Sequence, residues 1–267
     1  MRFAILGSGS DGNGLVVEAA AAVSSGPSVA RNTRLLIDCG FGTRDTVERL
    51  ARLGLAPEQL DAIVLTHEHD DHASGAFKFA RRFGLPVWLT AGTLRGCKNY
   101  LREGVALELF DSHLPFTIGG IELQPVAVPH DACEPTQFVF SDGVHRLGLL
   151  TDAGRPTAHM ITAFSGVDAL VLECNHDTQM LADSSYPVTL KRRIGGEFGH
   201  LSNVAAGSIL AALEQGRLQH VIAAHLSRSN NTPQLARAAL ADALCCAAQE
   251  VEVACQTTGL GWRTLLS

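Results

Sequence analysis

The sequence predicts an α/β protein built as one unit over residues 1–267, with two layers of sheet inside and helices outside. Three observations carry that prediction. Short apolar runs of strand length recur through the first two thirds, several of them bounded by glycine. Stretches of helical period lie between them. The last third alternates helix with strand. Hydrophobic residues make up 46% of the chain and charged residues 18%, enough apolar side chain for a sizeable core and too little charge for wholesale disorder.

The elements follow in order. Strands are expected at residues 2–6, 14–18, 34–38, 62–66 and 86–89. The small and polar residues 19–33 read as a mobile surface loop. A helix over 43–53 carries Val47, Leu50 and Ala51 on one side and stops at Gly54, a residue suited to ending a helix. Further strands are expected at 106–110, 121–128, 137–141, 146–151 and 169–173. Ser202 can cap a helix running to about Glu214, and 220–224 reads as a buried strand. Thr232-Pro233 is a cap followed by proline at the first helical position, opening a helix to about Gln249. Residues 250–255 are the final strand candidate.

Composition excludes several classes. A formal charge of -6 argues against a non-specific nucleic-acid coat, though not against a nucleic-acid substrate, because bound cations add charge that the count omits. Seven cysteines without any CxxC make a disulfide framework or zinc knuckle a poor fit. The apolar stretch after Met1-Arg2 is too short for a signal-peptide core, and no apolar run spans a bilayer. The expected address is the cytoplasm. The sequence sets no oligomeric state.

The chemistry concentrates in His67-Glu68-His69-Asp70-Asp71-His72, directly after the apolar run Ala62–Leu65. A buried strand ending in a ligand-rich loop presents those side chains at a sheet edge, on a rigid base. His67 and His69 are two apart and face one side of an extended turn. Asp71 and His72 can face a second ion about 3.5–4 Å away. Three of the chain's 11 histidines in six positions is hard to reconcile with a solvated polar turn. Imidazole and carboxylate together suit Zn or Mn, with Fe also accommodated. Three later strand ends each deliver a further metal-capable side chain: His130, Asp152 and His225.

With these motifs in place, the chain resembles the metallo-β-lactamase superfamily, whose mark is HxHxDH followed by His, Asp and His at successive strand ends. The opening Leu6-Gly7-Ser8-Gly9-Ser10-Asp11-Gly12-Asn13, then Glu173-Cys174-Asn175-His176-Asp177, Gly199-His200-Leu201-Ser202-Asn203 and His225-Leu226-Ser227-Arg228-Ser229-Asn230-Asn231 resemble the YycJ/WalJ-type proteins, which are similar to 5′ to 3′ DNA exonucleases. The resemblance implies a four-layer αββα sandwich. It assigns His67, His69 and His130 to one divalent ion and Asp71, His72 and His225 to a second, with Asp152 bridging the two. Asp38 would orient the ligand loop from behind. DNA is the implied substrate, hydrolysed by a hydroxide held between the ions. His200, oriented by Glu173, would serve the leaving group.

Other residues keep two readings. His176 binds phosphate, assists the second ion or hydrogen-bonds within its loop. Asn175, Asn203, Ser227 and Asn230 either donate to phosphate oxygens or cap turns. Lys191-Arg192-Arg193 is a solvated helix face or a strand contact. The glycine-rich turn 7–14 offers backbone N–H groups to phosphate, a weak signal alone. Phe77, Phe79 and Phe83 are expected in the core, and His113, His145, His159 and His220 away from the site. Two rival functions remain. One is a small-molecule phosphodiesterase or a thioester or lactam hydrolase on the same scaffold. The other is a non-catalytic regulatory protein that holds metal for structure.

Overall fold

A computed structural model describes residues 1–20 and 31–267. Two seven-stranded sheets lie face to face. The first contains β1 (Arg2–Gly7), β2 (Gly14–Ala19), β3 (Thr33–Ile37), β4 (Ala62–Val64), β5 (Val87–Leu89) and β6 (Leu107–Leu109), with the last strand of the chain, β14 (Leu260–Thr264), on the outer edge of β1. The second contains β7 (Phe116–Ile118), β8 (Ile121–Ala127), β9 (Thr136–Ser141), β10 (Arg146–Leu150), β11 (Ala169–Glu173), β12 (His220–Ala224) and β13 (Glu252–Val253) in that order. β3 to β6 run parallel, as do β10 to β13, while the hairpin strands beside them are antiparallel.

The central parallel strands β3, β4, β10, β11 and β12 are largely apolar on both faces because both faces are covered. In β3, Leu35 and Ile37 point between the sheets, where they join Phe3, Val17, Phe138 and Phe140. Leu36 points outward to Leu50 and Phe77. In β11, Val171 lies between the sheets and Leu170 and Leu172 pack outward against Ile209 and Leu240. The outward contacts come from α1 (Thr43–Arg52), α2 (Asp70–Ala73), α3 (Ala76–Phe83) and α4 (Ala91–Gly96) on one side. On the other lie α5 (Ala158–Phe164), α6 (Thr178–Asp183), α7 (Val188–Ile194), α8 (Asn203–Ala212) and α9 (Pro233–Leu244). The result is the expected four-layer αββα sandwich.

Differences from the sequence reading are local. The strand expected at 250–255 shrinks to Glu252–Val253. The last helix ends at Leu244 rather than near Gln249, because Cys245 turns left-handed at φ 52° and breaks the ladder. Neither β7 nor β14 was expected. The loop read over 19–33 lies mainly outside the described residues, and at its ends Ala19 still belongs to β2 while Thr33 opens β3. Phe77 and Phe79 are fully buried in the outer core.

Candidate metal centre

The carboxyl ends of β3, β4, β10, β11 and β12 meet at one rim, where open α/β sheets place their sites. Asp38 follows β3, His67 lies three residues beyond β4, Asp152 two beyond β10, and His225 directly follows β12. His69 precedes α2, which carries Asp71 and His72. Asp38, Asp152 and His225 hold left-handed backbone at φ 58°, 53° and 55°, a conformation uncommon outside glycine. Each strand thus turns sharply at the residue that carries the chemistry.

Seven side chains converge there. His67 Nε2 lies 3.0 Å from His69 Nδ1, which lies 3.2 Å from His130 Nε2. Asp71 Oδ2 lies 3.5 Å from His72 Nε2 and 3.3 Å from His225 Nε2. Asp152 stands between the two groups, with Oδ2 3.2 Å from His72 Nε2 and Oδ1 3.6 Å from His225 Nε2 and 3.9 Å from His130 Nε2. His67, Asp152 and His225 are 0%, 1% and 2% exposed, whereas His69, Asp71 and His200 open to solvent. Glu68 and Asp70, from the same run, turn away. Glu68 accepts from the Cys133 N–H at 2.7 Å and Asp70 accepts from the Tyr100 hydroxyl.

The outer hydrogen bonds fix which ring nitrogens are bare. Asp38 Oδ2 accepts from His72 Nδ1 at 2.8 Å, and Oδ1 accepts from the Thr66 N–H at 2.9 Å. The Thr66 hydroxyl donates to Asp38 at 2.9 Å, so its oxygen is left to accept from His67 Nδ1 at 3.0 Å. The Gly199 carbonyl accepts from His130 Nδ1 at 2.9 Å. Glu173 Oε1 lies 3.4 Å from His225 Nδ1. With Nδ1 protonated in each of these four rings, Nε2 presents a lone pair to the centre.

These donors fit divalent cations. Bonds of about 2.0–2.1 Å in a tetrahedral site put neighbouring ligand atoms about 3.3 Å apart, close to the spacings found here. Asp152 Oδ2 is buried without a hydrogen-bond partner among the described residues, which is costly unless a cation accepts it. Burial alone would raise the Asp152 and Asp71 carboxyls, but the surrounding imidazoles hold both well below the usual range. Burial likewise opposes charge on His72 and His225, yet Asp152 and its neighbours raise both well above normal. Burial pushes His67 and His130 down. The centre therefore demands positive charge.

Glu173 is fully buried. Its Oε2 accepts from the N–H groups of Ala153 at 3.0 Å and Leu201 at 3.2 Å, and its Oε1 lies 2.8 Å from His200 Nδ1. Burial disfavours a charged His200, but the Glu173 carboxylate overrides it and raises the pKa. His200 Nδ1 is also 3.4 Å from Asp152, so this pair belongs to the same centre.

The remaining candidates sit differently. Asn175 is buried and donates to the His225 carbonyl at 3.1 Å. Asn203 is buried against Asn231, with amide contacts of 2.8 and 2.9 Å. Asn230 is buried and lies 3.4 Å from Ser227 Oγ, which accepts its backbone N–H at 3.2 Å. Asn175 and Asn203 thus spend their amides inside the protein, the Asn230 Oδ1 is buried without a partner among the described residues, and only Ser227 stays partly open. His176 is 3% exposed, outside every ligand cluster, and burial lowers its pKa. Of the basic run, Lys191 donates to the Ala182 carbonyl at 2.6 Å and Arg193 pairs with Asp131 at 2.6 Å.

Sequence reasoning passed over Asn13 and Ser8. Asn13 Nδ2 lies 3.2 Å from Asp71 Oδ2 and 3.1 Å from His72 Nε2. Ser8 Oγ accepts the His225 N–H at 2.8 Å. The glycine-rich turn therefore braces the ligands. The turn was legible as a family motif and as a possible phosphate cradle, but neither reading pointed to its contacts with Asp71, His72 and the distant His225.

A sandwich with this rim of histidines and aspartates defines the class, a metal-dependent hydrolase. Residues 33–225 match the model of the beta-lactamase superfamily domain. The exodeoxyribonuclease YycJ of Bacillus anthracis is 32% identical over 91% of this chain and 89% of its own, and the exodeoxyribonuclease WalJ of Streptococcus pneumoniae is 31% identical over 91% and 88%. The metallo-β-lactamase fold protein YhfI from Bacillus subtilis, at 21% identity, superposes with a TM-score of 0.71 over 98% of both chains. The chain belongs to the metallo-β-lactamase superfamily and, within it, to the YycJ/WalJ family.

Proposed function

We propose that the protein is a DNA exonuclease working from the 5′ end. The observation that carries this beyond generic hydrolysis is the His200–Glu173 pair, 2.8 Å apart and set against Asp152. Hydrolysis of a phosphodiester expels an alkoxide, which needs a proton, and an imidazole held by a buried carboxylate can supply one. The names of the two bacterial relatives, exodeoxyribonucleases both, support DNA as the polymer.

In this reading His67, His69 and His130 would hold one cation and Asp71, His72 and His225 another, with Asp152 available to both. Divalent ions such as Zn or Mn would supply charge against the phosphoryl oxygens and lower the pKa of the attacking water. Asp38 and Thr66 keep His72 and His67 in the binding tautomer. Glu173 fixes His200 with Nε2 free to protonate the leaving 3′ oxygen. Ser227, just beyond His225, donates to a phosphate oxygen, and Arg192 at the exposed end of α7 approaches the strand. Asn175 acts through His225 rather than on substrate. The seven unpaired cysteines suit a reducing compartment such as the cytoplasm. Purified protein supplied with Mn²⁺ or Zn²⁺ and end-labelled DNA should release labelled mononucleotide first from the 5′ end. Inert DNA beside rapid cleavage of a thioester or a small cyclic phosphodiester would replace the reading.

A further inference from the structure

Beside the centre lies a second cavity of about 400 Å³, roughly the room one nucleotide requires. Its wall begins at Ser8, Leu226 and Ser227. Ser8 accepts the His225 N–H, and Ser227 stands two residues past His225, within about 7 Å along the chain. The cavity thus borders the segment that carries His225. Pro233 and Val253 add apolar surface, while Arg228 and Arg237 bring two guanidinium groups.

Arg237 is the unexplained group. It lies one turn into α9 and is half-buried. Its Nε is shut from solvent with no hydrogen-bond partner among the described residues. A guanidinium whose Nε is already shut away unpaired keeps a strong demand for an anion, which its terminal nitrogens can meet from the cavity that Arg237 lines. Arg228 is tied to Asp11 at 2.6 Å but remains largely exposed, so it can reach the same anion. The opposite wall is rigid. Gln256 accepts from the Asp11 N–H at 2.9 Å and donates to the Gly12 carbonyl at 2.8 Å, which clamps the turn that braces Asp71 and His225.

We propose that this cavity is the subsite for the terminal nucleotide of the strand, with its 5′-phosphomonoester on Arg237 and Arg228 and its base against Leu226, Pro233 and Val253. A strand end seated there would put the first internucleotide phosphate at the metal ligands, so degradation would proceed one unit at a time from a phosphorylated 5′ end. This assignment deepens the exonuclease reading and rests on it for its polymer, but the cavity can be tested alone.

Cys255 provides the probe. It is exposed, lines the cavity, and hydrogen bonds from Thr257 and Thr258 bring its thiol down to about 6, so it alkylates readily near neutral pH. Iodoacetamide labelling of the metal-loaded protein, with Cys255 followed by peptide mass spectrometry, should be slowed by thymidine 5′-monophosphate. Neither thymidine nor inorganic phosphate at the same concentration should slow it. Arg237→Gln should lose the protection, and Arg228→Gln, altered at an exposed position, should lose part of it. On DNA, wild type should prefer 5′-phosphorylated over 5′-hydroxyl oligonucleotides, and Arg237→Gln should shrink that ratio of kcat/KM about 10- to 100-fold, as loss of a charged hydrogen bond would. Equal labelling with and without the nucleotide, protection by thymidine or phosphate alone, or full protection in Arg237→Gln overturns the subsite. If no DNA is degraded but the nucleotide still protects Cys255, the polymer reading fails and the nucleotide cavity stands.

Discussion

Replacing Asp38 with asparagine tests how the centre is held from behind. Asparagine has the same shape and tolerates the left-handed backbone at φ 58° as well as aspartate does, so neither packing nor strain changes. Its hydrogen bonding does change. Asp38 accepts through both oxygens, from the Thr66 N–H at 2.9 Å on Oδ1 and from His72 Nδ1 at 2.8 Å on Oδ2. An amide has one oxygen, so either orientation sets an NH₂ against a donor and leaves a buried N–H unpaired. One such group costs about 1–3 kcal/mol, or a melting temperature lower by roughly 2–12 °C for a chain of this size. The damage extends to metal binding, because Asp38 sets the tautomer of His72 directly and that of His67 through Thr66. Affinity should fall about 10- to 100-fold. Chelator competition with metal analysis, beside thermal melts with and without added metal, measures both effects. Wild-type affinity together with an unchanged melting temperature would refute the relay.

Four further outcomes follow. His200→Ala should lower kcat on DNA about 10²- to 10⁴-fold with metal content unchanged, and should lose much less on a p-nitrophenyl phosphodiester, whose leaving group needs no proton; equal losses on both substrates would remove the leaving-group role. Exhaustive chelation should lower the melting temperature, and metal at a hundred times its Kd should restore about 2.7 kcal/mol, measurable by denaturant titration. Gly40→Ala should destabilise the protein and weaken metal binding, because an added methyl would collide with the Asp71 carbonyl; calorimetry and metal analysis report it. Burial would raise Glu18, but ion pairs with Arg2 at 2.6 Å and with Arg34 hold it below normal. Its stabilisation is therefore complete above the unfolded carboxylate pKa of about 4.3 and is lost as pH falls through the folded value. Glu18→Gln should flatten the acid side of the stability curve, as read by melts between pH 3 and 7.

What the sequence revealed of this molecule follows from where its physics is local. The central parallel strands were legible because burial on both faces makes them nearly continuously apolar, and the ligands stood directly after them. Strand β7 was not legible, since it pairs only with β8 at the sheet edge and carries only three residues. Nor was β14, where Gly261, Trp262 and Arg263 blur the alternation. The amides of Asn175, Asn203 and Asn230 read equally as donors or as struts, and only burial separates the two. Asn13 and Arg237 depend on contacts or cavities formed by segments far apart in sequence, for which no spacing rule exists.

The left-handed backbone at Asp152 and His225 has an evolutionary corollary. Such a conformation costs a residue with a side chain about 1–2 kcal/mol, and glycine would relieve it at either place. Asp152→Gly or His225→Gly would relieve that backbone but strip a partner from the buried charges around it, at a cost of about 3–5 kcal/mol that outweighs the strain removed. A laboratory selection for heat resistance alone, without a demand for turnover, should therefore leave these two strained corners in place, kept by the charges they hold rather than by the chemistry they serve.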